Sequence, residues 1–143
     1  MEIPFGGKCA CGTVTFQCAT YPLAMYNCHC RACQQTSGAP YVPLIVTNLD
    51  KVEMSGNYRL LKSYVSDDPH SQRAVCPECR SVLFAANDTF PEILLIHAMA
   101  LDDPSCFLPV ADIWTSDAQP WVAMDTHIPK VFKSPPILGE QVI

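Results

Sequence analysis

Nine cysteines in 143 residues constrain this chain more than any other feature. Seven of them fall into three tight groups, Cys9-Ala10-Cys11, Cys28-His29-Cys30-Arg31-Ala32-Cys33 and Cys76-Pro77-Glu78-Cys79, while Cys18 and Cys106 stand alone. A disulfide framework spreads its cysteines and needs an oxidising compartment, and an odd total leaves one thiol over. Cys-x-Cys and Cys-x-x-Cys instead place two thiolates on one tight turn, where both reach a single cation about 2.3 Å from each sulfur. The grouped cysteines therefore read as metal ligands, and Cys18 and Cys106 as small core hydrophobes.

Ligand counting separates two kinds of site. A closed structural zinc takes four ligands. Cys9 and Cys11 supply two, Cys76 and Cys79 two more, and pairing them ties the N-terminal turn to the middle of the chain. The central group offers Cys28, Cys30 and Cys33, and three protein ligands with one open position is the pattern of a catalytic zinc. In the competing reading His29, Cys18 or Cys106 completes this second set and the site is structural. Three thiolates leave a divalent zinc with excess negative charge and make it a weak generator of hydroxide. A soft ligand such as a substrate thiol suits the open position and would be deprotonated there to a nucleophile.

Composition excludes several alternatives. The chain is 49% hydrophobic and only 16% charged, too apolar for disorder. Its net charge of −5, with 9 Lys and Arg, argues against a phosphate-binding surface. The longest apolar stretch, residues 93–101, is interrupted by His97 and is far shorter than the roughly 20 residues that span a bilayer. The N-terminus, MEIPFGGK, has no basic segment followed by an apolar core, so no secretory signal is visible. The expectation is a cytoplasmic protein that meets neither nucleic acid nor membrane.

Residues 13–18 alternate in the manner of a half-buried strand. Further strands are expected over residues 41–47, 58–65, 81–86, 93–100 and 110–115. Pro43 makes the strand at 41–47 an edge or bulged one, and the apolar run at 93–100 suits a strand buried on both faces, with His97 a satisfied core histidine. Gly6-Gly7, Ser37-Gly38, Ser55-Gly56-Asn57, Asp67-Asp68-Pro69 and Asp102-Asp103-Pro104 mark turns. The one helical candidate is residues 31–36, directly after a ligand turn and ended by Gly38. The chain reads as a mostly β single domain over residues 1–128, with a Pro-rich extended arm over residues 129–143.

The three cysteine groups, in order, resemble the glutathione-dependent formaldehyde-activating enzyme (GFA) family. The motifs read Gly7-Lys8-Cys9-Ala10-Cys11-Gly12, Cys28-His29-Cys30-Arg31-Ala32-Cys33 and Cys76-Pro77-Glu78-Cys79. Thr36-Ser37-Gly38-Ala39-Pro40-Tyr41, Ser81-Val82-Leu83-Phe84, Leu101-Asp102-Asp103-Pro104, Ile113-Trp114-Thr115-Ser116 and Pro120-Trp121 resemble further parts of its signature. The resemblance runs over about residues 5–128 and implies that family's zinc-binding β-tent fold, small antiparallel sheets around zinc sites. It also implies two zinc ions per chain: a structural one on Cys9, Cys11, Cys76 and Cys79, and a catalytic one on Cys28, Cys30 and Cys33. The implied activity is that of a carbon–sulfur lyase, joining formaldehyde to glutathione as S-hydroxymethylglutathione. Two departures stand out. Arg80 follows the last ligand where the family usually has Gly, and Asp112 precedes Ile113 where it often has His.

The candidate site residues beyond the ligands are therefore His29 as a general base, Arg31 as a partner for a substrate carboxylate or for the site's negative charge, Asp112 as a pocket carboxylate, and Ser37 and Gly38 as substrate or cofactor contacts. Trp114 either lines the pocket or packs the core. An anionic Asp112 in the pocket would disfavour glutathione and point to a less charged substrate. The expected function is a zinc-dependent carbon–sulfur lyase acting on a small molecule, a thiol such as glutathione or its adduct, with a homodimer as the assembly. One alternative is a zinc enzyme of the same fold carrying out dehydration, decarboxylation or isomerisation on a biosynthetic intermediate. The other is a non-enzymatic zinc-stabilised binding module.

Overall fold

A computed structural model describes residues 1–64 and 70–135. Among these residues the chain is mostly β, with ten strands, one α-helix and four short 3-10 turns. The strands are β1 (Phe5–Lys8), β2 (Thr15–Cys18), β3 (Ala24–Cys28), β4 (Val42–Asn48), β5 (Val52–Ser55), β6 (Arg59–Lys62), β7 (Ser71–Val75), β8 (Val82–Asn87), β9 (Ile93–His97) and β10 (Ala111–Ile113), and the helix α1 covers Arg31–Ser37. They form a three-stranded sheet in the order β1-β2-β5 and a seven-stranded sheet in the order β10-β3-β4-β9-β8-β7-β6. Pairing is antiparallel throughout except for the parallel β10–β3 pair.

Successive side chains of a strand point to opposite faces, and the central strands use both faces for burial. On β4, Ile45 joins one apolar cluster, with Phe16, Phe84, Leu94 and Ile96. Its neighbours Leu44 and Val46 join a second cluster with Tyr26, Val42 and Ile113. On β9, Leu94 and Ile96 face the first cluster, while Ile93 and Leu95 pack against the second. The first cluster also holds Phe5 and Val14 and lies between the two sheets. The second occupies the opposite face of the large sheet, where Cys28, Cys30 and Cys33 gather.

Several expectations change. The strand carrying Pro43 is interior, since β4 lies between β3 and β9. It tolerates proline because the β9 register begins at Leu44, so Pro43 faces a ladder partner, Asn27, on one side alone. The Gly6-Gly7 turn is instead part of β1, where an alanine Cβ at Gly7 would lie 2.0 Å from the Ala100 carbonyl oxygen. The run at 93–100 ends as a strand at His97 and continues as a 3-10 turn, Ala98–Ala100. His97 is buried, but its Nε2 has no hydrogen-bond partner among the described residues, so it is not the satisfied histidine expected. Val65 and the turn at Asp67-Asp68-Pro69 lie outside the described residues. The arm begins as an extended segment beside β10: Asp112 N donates to Pro129 O, Val131 N to Asp112 O and Thr115 N to Val131 O.

Gly7→Ala is expected to lower stability by about 2 kcal/mol or more, because the backbones of β1 and the 98–101 turn must separate. Urea denaturation reads this directly, and an unchanged midpoint would show that the close approach is not maintained in solution.

Candidate metal centres

Two loops bring the first cluster together. Cys9 and Cys11 lie on the turn after β1, and Cys76 and Cys79 on the turn between β7 and β8. The four sulfurs all lie within 4.8 Å of one another. Cys9 and Cys11 Sγ are 3.5 Å apart, and Cys11 and Cys76 Sγ 3.7 Å. Four sulfurs each about 2.3 Å from one tetrahedral ion would be about 3.8 Å apart, so the donor set fits a single soft cation. Backbone and side-chain donors surround these sulfurs. Val14 N donates to Cys9 Sγ at 3.3 Å, and the Thr13 and Ser81 hydroxyls lie 3.1 and 3.2 Å from Cys11 and Cys79 Sγ. The Ser81 contact leads the effects that bring the Cys79 thiol down to about 5. Such donors favour the thiolate that a metal requires.

Arg80, directly after the last ligand, adopts φ 67, and its N–H donates to Cys76 O at 3.0 Å. This is the left-handed region that glycine enters at no steric cost, which explains why glycine suits this position. The Arg80 side chain is exposed. Arg80→Gly should therefore raise stability by about 1 kcal/mol, seen as a higher Tm; a lower Tm would mean that the arginine side chain contributes more than the backbone strain.

The second cluster is built by a strand end and a helix start. Cys28 ends β3, where the sheet register sets it opposite Val42 and Ile113. Cys30 caps α1, its sulfur accepting from Cys33 N at 3.3 Å, and Cys33 is in the first turn. The three sulfurs lie within 4.8 Å of one another. Hydrogen bonding to Cys28 and then Cys33, with Arg73 adding its charge, pulls the Cys30 thiol down to about 3. Among the described residues neither His29, Cys18 nor Cys106 joins this set. Cys18 is buried beside Thr47, and Cys106 donates to Asp103 O.

These three cysteines open into a cavity of about 300 Å³. Its other walls come from the second face of the large sheet, with Tyr26, Leu44, Val46, Ala85, Ile93 and Leu95, and from Phe90, Ile113, Trp114 and Ser134. The register places Val46, Leu95, Ala85 and Arg73 in one row across β4, β9, β8 and β7. Arg73 went unnoticed in the sequence. It is 4% exposed, and its guanidinium donates to Ser71 Oγ, to Gln72 O and, at 3.7 Å, to Cys33 Sγ. Its Nε is buried and has no hydrogen-bond partner among the described residues. His97 is held neutral nearby, its pKa lowered to about 4 by burial and by the charge of Arg73. The one signal available in the sequence was an arginine three residues before a ligand pair.

The remaining candidates divide. Arg31 lines the cavity, with Nη1 2.5 Å from Gln34 Oε1, and Trp114 also lines it, at φ 55. His29 and Asp112 are absent from the lining and sit behind the ligand loop. His29 Nε2 is 3.0 Å from Asp112 Oδ1, and its ring packs on Tyr41 at 5.0 Å. Asp112 also accepts from Asn27 at 3.1 Å and pairs with Lys130 at 3.0 Å. Its charge is therefore matched by Lys130 of the arm and does not enter the cavity. Ser37 Oγ donates to Cys33 O at 2.6 Å, and Gly38 caps α1 at φ 72, its N–H donating to Gln34 O. Both complete the helix end and neither is part of the cavity wall.

Burial raises the pKa of Asp112, but hydrogen bonds from His29, Lys130 and Asn27 outweigh it and hold the carboxyl below its ordinary 3.8. Asp112 thus stabilises the fold above that ordinary value, and the contribution is lost as pH falls through the depressed folded-state pKa. Asp112→Asn should cost about 1–3 kcal/mol at neutral pH, with the gap to wild type shrinking below about pH 4. Paired urea titrations at pH 7 and pH 3 check this, and a pH-independent gap would refute it.

A family model described as glutathione-dependent formaldehyde-activating enzyme matches residues 4–117. The fold is similar to that of a Rhodobacter sphaeroides protein solved as a structural-genomics target, with a TM-score of 0.55 and 14% sequence identity, over 88% of this chain and 99% of that one. At such identity the similarity is one of fold. A search of curated proteins gives no match.

Proposed function

This chain belongs to the glutathione-dependent formaldehyde-activating enzyme family, and from that premise we propose that it is a zinc-dependent enzyme of the carbon–sulfur lyase type. Its substrate is a thiol or a thiol adduct, seated at the open position of a zinc held by Cys28, Cys30 and Cys33. A second zinc, on Cys9, Cys11, Cys76 and Cys79, is structural. One observation carries this reading: the three-cysteine cluster faces a cavity, whereas the four-cysteine cluster has a full ligand set and no part in the cavity wall.

Zinc at the three-cysteine site would supply a soft Lewis acid that lowers the pKa of a thiol. The chain's own residues supply the rest. Phe90, Leu95 and Trp114 are apolar residues of the cavity wall, and an apolar wall strengthens the charge interactions beside it. Arg73 holds a permanent positive charge against Cys33 and offsets the negative cluster. In the condensing direction the thiol sulfur attacks the carbonyl carbon of an aldehyde and a C–S bond forms. The carbonyl π pair moves to oxygen, which takes up the proton that the thiol lost. The reverse step breaks the same bond and returns thiol and aldehyde. An anionic Asp112 in the pocket would disfavour glutathione, and the Lys130 pairing behind the ligand loop removes that argument.

Elemental analysis tests the assignment. The wild-type protein should carry two zinc ions, and Cys30→Ser one, with its fold retained and carbon–sulfur bond formation between thiol and aldehyde, followed by NMR, abolished. Cys76→Ser should be insoluble or unfolded, since structural zinc contributes about 10–16 kcal/mol to small domains. One zinc in both wild type and Cys30→Ser would overturn the catalytic assignment.

A further inference from the structure

We infer that the cavity takes a thiol with an apolar, uncharged body, and that the carbon joined to its sulfur presents one oxygen to Arg73 Nε; this rests on the reading of the three-cysteine site given above. The walls state the first half. Tyr26, Leu44, Val46, Phe90, Ile93 and Leu95 enclose the space over the sulfurs. Among the described residues, the charged side chains at its surface are Arg31, Arg73 and Asp117, together with His70. Arg31 is exposed and engaged by Gln34, and Asp117 Oδ2 accepts from Arg31 N at 3.3 Å. His70 is exposed. Among the described residues, Arg73 is the one buried cation of the wall.

That cation is already spoken for electrostatically. Three thiolates around a divalent ion carry one excess negative charge, and the guanidinium against Cys33 balances it. Glutathione brings two carboxylates and an ammonium group. Burying these without partners is costly, and the carboxylates would add negative charge beside an anionic centre. An uncharged apolar body avoids both penalties and gains from contact with the walls.

Arg73 Nε states the second half. A buried donor without an acceptor is rare in folded proteins, and here it lies on a side chain that touches a cluster sulfur. A carbonyl or hydroxyl oxygen on the carbon next to the substrate sulfur would satisfy it without adding a further charged group.

The test is a calorimetric titration of the zinc-loaded full chain with three probes: phenylmethanethiol, glutathione and thiobenzoate, which carries an oxygen on the carbon bonded to sulfur. Phenylmethanethiol should half-saturate the protein at a concentration at least about tenfold below glutathione, and thiobenzoate lower still. Arg73→Lys, which keeps the charge but loses the Nε donor, should erase the advantage of thiobenzoate over phenylmethanethiol at unchanged zinc content. Phe90→Ala should weaken phenylmethanethiol about fivefold and leave glutathione unaffected. If Arg73→Lys loses zinc, the three probes on wild type decide the matter. Glutathione binding as tightly as phenylmethanethiol, or thiobenzoate no better than phenylmethanethiol, would overturn the inference while leaving the zinc–thiol reading in place. Failure of every thiol to bind a two-zinc protein would overturn both.

Discussion

Strands β4 and β9 bury both of their faces, and the rest of the molecule is arranged around that condition. Ile45, Leu94 and Ile96 point to the cluster shared with the three-stranded sheet, while Leu44, Val46, Ile93 and Leu95 point the other way. A slip of one residue in the β4–β9 register would exchange the two sets. The four-cysteine cluster belongs to the first side, where Cys9 and Cys76 are buried in the apolar core. The three-cysteine cluster belongs to the second, where the sheet face forms the cavity. The two candidate metal clusters thus lie on opposite faces of one sheet.

The ligand loops are anchored by ordinary backbone devices. Cys30 serves at once as candidate ligand and helix cap, so its sulfur is held by the Cys33 N–H before any ion binds. Gln34, one residue on, donates to His29 O and Asp117 O and joins the helix to the loop after β10. Asp112 bonds His29, Asn27 and Lys130, connecting the ligand loop to the C-terminal arm. That arm carries Ser134 into the cavity wall. Residues distant in sequence therefore govern the position of three cysteines confined to six consecutive residues.

Strand recognition failed for particular residues with a physical reason. The strand β7 reads SQRAV, and its buried positions include Ser71 and Arg73. Polar side chains occupy those positions because they face the cavity and the cluster, so the apolar alternation that reveals a strand is absent. The strand β1 was hidden by Gly6 and Gly7, which serve close backbone approach to Phe16 and Ala100 and only look like a turn. Helix α1 was legible, since the ligand turn before it and Gly38 after it are local signals. Among the described residues, no helix is long and apolar enough to cross a membrane.

The sequence alone determined the division of the cysteines, because metal-binding turns are local: two residues on one turn can share a cation whatever the rest of the chain does. It also determined the mostly β class, through alternation along single strands. The tertiary structure decided which cysteines meet across a separation of 65 positions, that the three-cysteine group faces an apolar cavity, and that Arg73 lies against Cys33 while Asp112 turns away to Lys130. Those outcomes depend on sheet order and register, which bring together side chains that share no local pattern. A charge in a sequence has a sign, but its role is fixed by which face of which strand carries it.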